Sequence, residues 1–521
     1  MESAKDRIKG SWVPVWVLVC VALLVAIDSL DRAVRHSYSN DEALSYGAWI
    51  AKPWSSFYQG WVANHHLLSN AASKVLAQTF GPSEWVLRLP AVFGGGLWLG
   101  VVSWFAFATA PRSWAVLLAA LACMLNPFLR DWMVAARGYG LALGLLGLTL
   151  ALSVSALSGQ GRACAWKLVA LGTAAGLCAG ANLACVFALA GLAGALLLRV
   201  AVDRNARRDL GLVRLVSWAL LPAIFIAIGI YAPAFGAQVP DYLRFGQVWG
   251  GDALLPAVFD LVRGSLVERR GAIGSGIVIQ GVPLRAVEWG FGVAAPLFLV
   301  VSGCVALWGG ARGTSARSRT TELVVLAGTA LGLTVLLHAV AHVAFGVAWP
   351  LTRTAIPLVV FVSLGWIGIT ALAARSRRRY LVLAPASMTA LAVVLFCANG
   401  ARPDHFRDWP FDRDARNDLA WIVQRREAVA PGAEFRVLCL PFHRQAALRF
   451  YAERAGADWL VVDTVDPRTP ESWTDAQNRY DVYALWGGPA LTQQVLALLD
   501  LVAARSDPAV RTTLAVAADG G

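Results

Sequence analysis

Charge is scarce in this 521-residue chain: Asp, Glu, Lys and Arg make up 15% of it, against 57% hydrophobic residues and a mean hydropathy of +0.57. Soluble domains carry about a quarter charged residues, so a soluble multidomain protein is excluded. A disulfide framework is missing too. Cys20, Cys123, Cys164, Cys178, Cys185, Cys304 and Cys397 fall within or at the edge of apolar runs, which leaves Cys439 alone outside them. No Cys-x-x-Cys pair and no Cys/His spacing points to zinc or redox chemistry, so no metal site is assigned and no cofactor is expected, with a divalent ion left open. Internal repeats of the kind that build transporters are also lacking.

What is present is a series of apolar runs of the length a helix needs to cross about 30 Å of hydrocarbon. Spans are expected near residues 12–30, 87–108, 113–129, 138–157, 167–181, 183–202, 215–236, 288–310, 323–342, 355–374 and 381–398, about eleven in all. The first follows Lys5, Arg7 and Lys9 but is longer than the apolar core of a signal peptide and lacks a clean small-x-small cleavage site. It reads as a retained signal-anchor. The net charge of +12 would suit nucleic acid, yet the arginines gather in short connections, at Arg199 to Arg214, Arg312 to Arg319 and Arg375 to Arg379. That placement is a topology signal, which sets the N-terminus in the cytoplasm and the C-terminus outside, and removes nucleic acid as a partner.

Two long connections, 31–86 and 237–287, then fall on the outer side of a transmembrane domain covering residues 1–398. Within the first, His65 to Phe80 spaces Leu68, Ala72, Val75, Leu76 and Phe80 as an amphipathic helix lying in the membrane interface, flanked by Trp49, Trp54, Trp61 and Trp85. Beyond Ala398 the hydropathy collapses, and residues 399–521 are expected to form a small extracytoplasmic α/β domain. Strands are expected from Arg436, at Trp459–Val462 and at Asp481–Trp486, with helices over His443–Gly456 and Pro489–Ala504. No Gly-rich phosphate loop opens a helix there, which argues against a nucleotide site.

Chemistry is sought among ionisable groups at the outer mouth of the bundle, because charge near hydrocarbon is costly unless used. Three clusters stand out: Asn40-Asp41-Glu42 through Tyr46, then Asn64-His65-His66-Leu67 leading to Arg88-Leu89-Pro90, then Arg130-Asp131 to Arg137-Gly138-Tyr139. Together with Gly81-Pro82-Ser83-Glu84 and Ala136-Arg137-Gly138-Tyr139, this ordered set resembles the membrane glycosyltransferases of the GT-C superfamily. The branch it is most similar to is the family 39-like one, with protein O-mannosyltransferases, lipid A aminoarabinose transferases and related lipopolysaccharide sugar transferases. The motifs cover about residues 38–145. The His-Pro-Pro form of the second motif is replaced by His66-Leu67, and the lysine near it in the aminoarabinose transferases is not evident.

The resemblance implies a GT-C fold and transfer of a sugar from a polyprenyl-phosphate carrier to a glycan, lipid or protein acceptor at the outer face of the plasma (inner) membrane. Asp41 is the candidate base, with Glu42 beside it to orient the acceptor or support Asp41. Asn64, His65, His66, Arg137, Tyr139 and Arg353 are the candidate substrate contacts, arginine offering a planar fork for phosphate oxygens. Plainer readings stand beside these. Asp41 and Glu42 fit the first turn of a short helix capped by Asn40, Arg88 an anchor for its span, Tyr139 the aromatic belt, and Asp28 a partner for a neighbouring arginine. His338 and His342, one helical turn apart, fit a packed polar stripe better than a metal site. A lipid-linked glycan transporter or flippase, or a polysaccharide polymerase or ligase using the arginines of Arg244 to Arg285, remain the alternative functions.

Overall fold

The computed structural model describes residues 12–59, 65–158, 165–235, 250–251, 253–266, 284–311, 318–376, 379–399, 406, 408–429, 431–440, 444–464, 479–487, 489–507 and 511–518. Its helices are α1 (Val13–Arg35), α2 (Asn40–Ser45), α3 (Leu67–Phe80), α4 (Glu84–Thr109), α5 (Trp114–Leu125), α6 (Pro127–Trp132) and α7 (Gly138–Ser158). They continue as α8 (Ala165–Ala181), α9 (Val186–Val202), α10 (Arg204–Leu210), α11 (Leu212–Leu215), α12 (Leu221–Phe235), α13 (Leu254–Leu266) and α14 (Leu284–Trp289). The last are α15 (Ala295–Ala311), α16 (Arg319–Phe345), α17 (Ile356–Arg375), α18 (Arg379–Asn399), α19 (Ala415–Val429), α20 (Gln445–Arg454) and α21 (Pro489–Leu498).

Among the described residues, 8 helices are long and apolar enough to cross a bilayer, and three shorter apolar helices stand with them. Each expected span has its helix, and the chain is a polytopic helical membrane protein. The break at Asn182 is real: its backbone is extended (φ −155°, ψ 118°), and its side chain accepts the Ala184 N–H at 2.9 Å. A short turn over Leu183–Cys185 then leads into α9; with Ala181 packed on Gly138 and Arg199 paired with Glu322 at the opposite face, α8 and α9 run in opposite directions.

Close packing ties the bundle together at glycines. A Cβ placed on Gly94 would run into the Gly140 carbonyl, and one on Gly144 into the Gly94 carbonyl. These small residues therefore let the α4 and α7 backbones touch, which is how helices gain dispersion energy where lipid removes the hydrophobic drive.

Charged groups sort the helix ends onto two faces. On one, Arg375 donates to the Thr109 carbonyl at 2.6 Å, Arg112 lies 4.7 Å from the Trp12 ring, Arg319 lies 5.8 Å from the Trp104 ring, and Arg199 pairs with Glu322 at 2.7 Å. These are the ends of the Arg-rich connections. On the other face lie α2, α3, Arg88, Arg137, Arg353 and the C-terminal domain.

That domain carries a five-stranded mixed sheet in the order β4-β3-β5-β7-β6, built from β3 (Phe435–Leu440), β4 (Leu460–Thr464), β5 (Val482–Trp486), β6 (Leu501–Asp507) and β7 (Thr512–Ala517). Two further pairs of residues, β1 (Gly250–Gly251) and β2 (Trp349–Pro350), join antiparallel beside the bundle. The parallel part β4-β3-β5 follows the expected strand and helix alternation. The expected helix over Pro489–Ala504 is corrected: it stops at Leu498, Asp500 turns the chain at φ 52°, and Leu501 onward is strand. The expected helix from His443 is seen over Gln445–Arg454, and His443 itself lies outside the described residues.

Gly144→Leu should force α4 and α7 apart and cost about 1–3 kcal/mol or more. Thermal unfolding of the purified protein in detergent checks this, and an unchanged midpoint would show that the two helices do not pack through these glycines.

Candidate active site

The site grows from a capping box. Ser39 caps α2, its hydroxyl accepting the Glu42 N–H at 3.4 Å while the Glu42 carboxylate accepts the Ser39 N–H at 2.8 Å. The Ser-x-x-Glu spacing is the signature of such a box, so the cap is Ser39 rather than Asn40. Glu42 is then drawn fully inside. Its oxygens take Arg88 Nε at 3.0 Å, Arg88 Nη2 at 2.7 Å and the Ala136 N–H at 2.5 Å, and neither side chain of the pair reaches solvent. Arg88 spends its other donors on the carbonyls of Ala33, His36 and Ser37, at 3.1, 2.8 and 2.9 Å. Glu42 is thereby fully engaged by protein donors, and Arg88 anchors its span to the end of α1.

A helix turns about 100° per residue, so Asp41 faces away from Glu42. Its Oδ2 meets Arg353 Nη1 at 2.9 Å and Arg137 Nη2 at 3.7 Å. Arg137 also donates to the Asp41 carbonyl at 2.9 Å and to the Ser45 hydroxyl at 3.1 Å. Asp41 and Arg353 keep 17% and 15% exposure against 1% for Arg137, so two of the three groups are open to solvent. Burial pulls Arg137 below the usual guanidinium range and the Asp41 charge opposes it. Asp408 faces Arg353 as a second carboxylate.

Both histidines are inside. His65 stacks on Trp49 with ring centroids 4.2 Å apart, and His66 meets the Tyr139 edge at 5.1 Å. Burial pushes His66 well below 6.5, with Arg137, Arg353 and His65 adding to the effect, so its imidazole is neutral at neutral pH. Tyr139 sits between His66 and Trp132 and is buried, not in a lipid-facing belt. Asn64 lies outside the described residues. Asp28 pairs with Arg130 at 2.7 Å, and Asp131 pairs with Arg32. His338 and His342 bond to the Thr334 and Val347 carbonyls, and no group of three metal-ligating side chains occurs among the described residues. Arg263, in the segment that would serve a polymerase, pairs with Glu288 at 2.5 Å.

Two features had no sequence signal. The interfacial helix α3 is turned with its polar side inward: Ser69, Asn70, Ser73 and Lys74 are buried while Val75 and Phe80 are exposed. Lys74 donates to the carbonyls of Trp49, Ile50 and Lys52, closing the end of the turn that continues α2. The second feature is an apolar cavity of about 460 Å³ bounded by α13, Phe291, α17 and α18, with Asn126 and Trp366 among its walls. It lies toward the face that carries Asp41, since α13 also packs on the turn Thr352–Ala355 that presents Arg353.

No family model matches the sequence, and no curated protein matches it. Among solved structures the chain is similar to ArnT from Cupriavidus metallidurans in the apo state, at 17% identity and a TM-score of 0.43, over 96% of this chain and 97% of that one. The same protein bound to undecaprenyl phosphate gives 18% identity and a TM-score of 0.44 over 97% and 99%. Both scores fall short of what establishes a shared topology, so the chemistry has to be read from the site itself.

Removing Arg88 strands a carboxylate out of water, so Arg88→Met should destabilise the protein by about 3–5 kcal/mol in detergent unfolding, and adding Glu42→Gln should recover part of that loss. Stability should also fall as pH drops below 6.5. His66 takes up a proton there in the unfolded chain but not in the folded one. Melting curves of the wild type and His66→Gln between neutral and acid pH check this, the variant showing the shallower acid limb.

Proposed function

We propose that this chain is a glycosyltransferase that moves a sugar from a polyprenyl-phosphate carrier to an acceptor hydroxyl or amine, with Asp41 as general base. The observation that carries the reading is the Asp41 carboxylate held between Arg353 and Arg137, partly open, while the neighbouring acid Glu42 is sealed away. A phosphate arriving at the two guanidiniums competes for the donors that hold Asp41. The carboxylate is then free to take the acceptor's proton as the acceptor attacks the anomeric carbon. The bond from that carbon to the phosphate breaks, and its electron pair leaves on a polyprenyl phosphate stabilised by the arginines. Attack from the side opposite the phosphate inverts the anomeric centre.

The surroundings fit such a donor. The apolar cavity is of ligand-pocket size and suits the near end of an isoprenoid chain whose phosphate reaches Arg353. His66 and Tyr139 border the arginine pair, a neutral acceptor and a phenol suited to sugar hydroxyls. The Arg-rich ends of Arg199, Arg319 and Arg375 share the face opposite Asp41, which under the positive-inside rule supports an orientation with the site and the C-terminal domain outside the plasma membrane.

Purified full-length protein incubated with a panel of polyprenyl-phosphate sugars should consume at least one. Asp41→Asn should lower turnover by about 10²–10⁴-fold with its elution profile unchanged. Arg353→Ala should raise the KM for the donor. Turnover retained in Asp41→Asn removes Asp41 as the base.

A further inference from the structure

The short helix that carries Asp41 is too small to hold its own place. Isolated helices under about 12–15 residues are marginal, and α2 has 6. Its position comes from what it packs on, and much of that is the C-terminal domain.

The Tyr38 N–H donates to the Tyr451 hydroxyl at 2.6 Å, the Asn40 N–H to Asp412 Oδ2 at 2.6 Å, and the Ser37 hydroxyl to the Arg413 carbonyl at 2.7 Å. In the other direction the Ala446 N–H, in the first turn of α20, donates to Asn40 Oδ1 at 3.3 Å. Side chains repeat the pattern. Phe450 lies 4.5 Å from Tyr38 and 5.0 Å from Tyr46, and one apolar cluster joins Tyr38, Ala43, Leu87 and Ala136 to Ala415, Ala447 and Phe450. At the rim, Glu84 pairs with both Arg416 and Arg454, at 2.7 and 3.0 Å. The bundle and the domain thus share one core, and α2 lies in it.

We infer that Asp412 is a positioning residue for Asp41: through the Asn40 N–H it lets the C-terminal domain fix the first turn of α2, and with it the direction in which Asp41 meets Arg353 and Arg137. The inference rests on reading Asp41 as the base. Asp412 suits the task because it is buried. Burial holds its carboxyl well above the usual range; Asp41 and Glu42 push the same way, while the Asn40 N–H and Arg444 oppose. Burial disfavours a further anion beside Asp41, and the Asp412 Oδ2 can accept the Asn40 N–H in either charge state.

The test uses full-length protein in detergent, with the variants Asp412→Ala, Asp412→Asn and Tyr451→Phe. Hydrogen exchange over residues 38–46 should quicken in Asp412→Ala, and quicken less in Tyr451→Phe. It should stay near wild type in Asp412→Asn, whose amide oxygen still accepts. With a sugar donor, Asp412→Ala should lose about 10²-fold in kcat, the scale of a 1 Å misplacement, with donor KM unchanged. Asp412→Asn should recover most of that loss. Unchanged exchange over 38–46 in Asp412→Ala overturns the inference, and so does a parallel loss in Asp412→Asn. Should Asp412→Ala fail to fold, the comparison of Tyr451→Phe with Asp412→Asn decides by the same two readouts. Quickened exchange in a protein that consumes no donor leaves the clamp standing and removes the transferase reading instead.

Discussion

The arrangement depends on one ion pair out of reach of water. Desolvating a carboxylate and a guanidinium costs several kcal/mol each in proteins, an amount offset only where every donor and lone pair finds a partner. Here Glu42 and Arg88 meet that condition: the five N–H groups of the arginine end on Glu42 and three carbonyls, and the carboxylate also receives the Ser39 and Ala136 amides. The pair therefore joins the exit of α1, the start of α4 and the approach to α7 at a single point. Asp41, beside Glu42 in the chain, sits on the same capped turn and takes its direction from it.

The spans were legible because hydrocarbon thickness sets a length that each helix must meet, and because glycine and asparagine at 180–182 mark a reversal that a continuous helix would not tolerate. The candidate groups were legible as types near one face of the bundle. Their partners were not. Asp41 and Arg353 are 312 positions apart, Glu42 and Arg88 are 46 apart, and no spacing rule reaches that far. Adjacent acids look alike in a sequence, and only the fold separates Glu42, sealed by donors, from Asp41, open beside two arginines. The end of the chain misled for a local reason: Leu499 to Ala503 is apolar enough to prolong a helix, and the left-handed turn at Asp500 that ends it has no glycine to announce it.

The interfacial helix teaches a related point. Periodicity identified α3 but not which side it presents, because in a membrane protein the apolar stripe belongs to lipid as readily as to the core. With Lys74 and Asn70 turned inward and Val75 and Phe80 outward, one wall of the site is a helix whose outer surface suits the bilayer. The Asp41 neighbourhood is thus backed by a helix whose exposed side is apolar.

The short reversal that Asn182 opens between α8 and α9 has a consequence for the backbone. Ala181 packs against Gly138 near the site, while Arg199 lies at the opposite face, so α8 and α9 cross the full thickness with nothing between them to translocate. Asn182 is what lets the hairpin close so tightly: its side chain accepts the Ala184 amide, one of the backbone donors that the reversal would otherwise leave without a partner in an apolar surrounding.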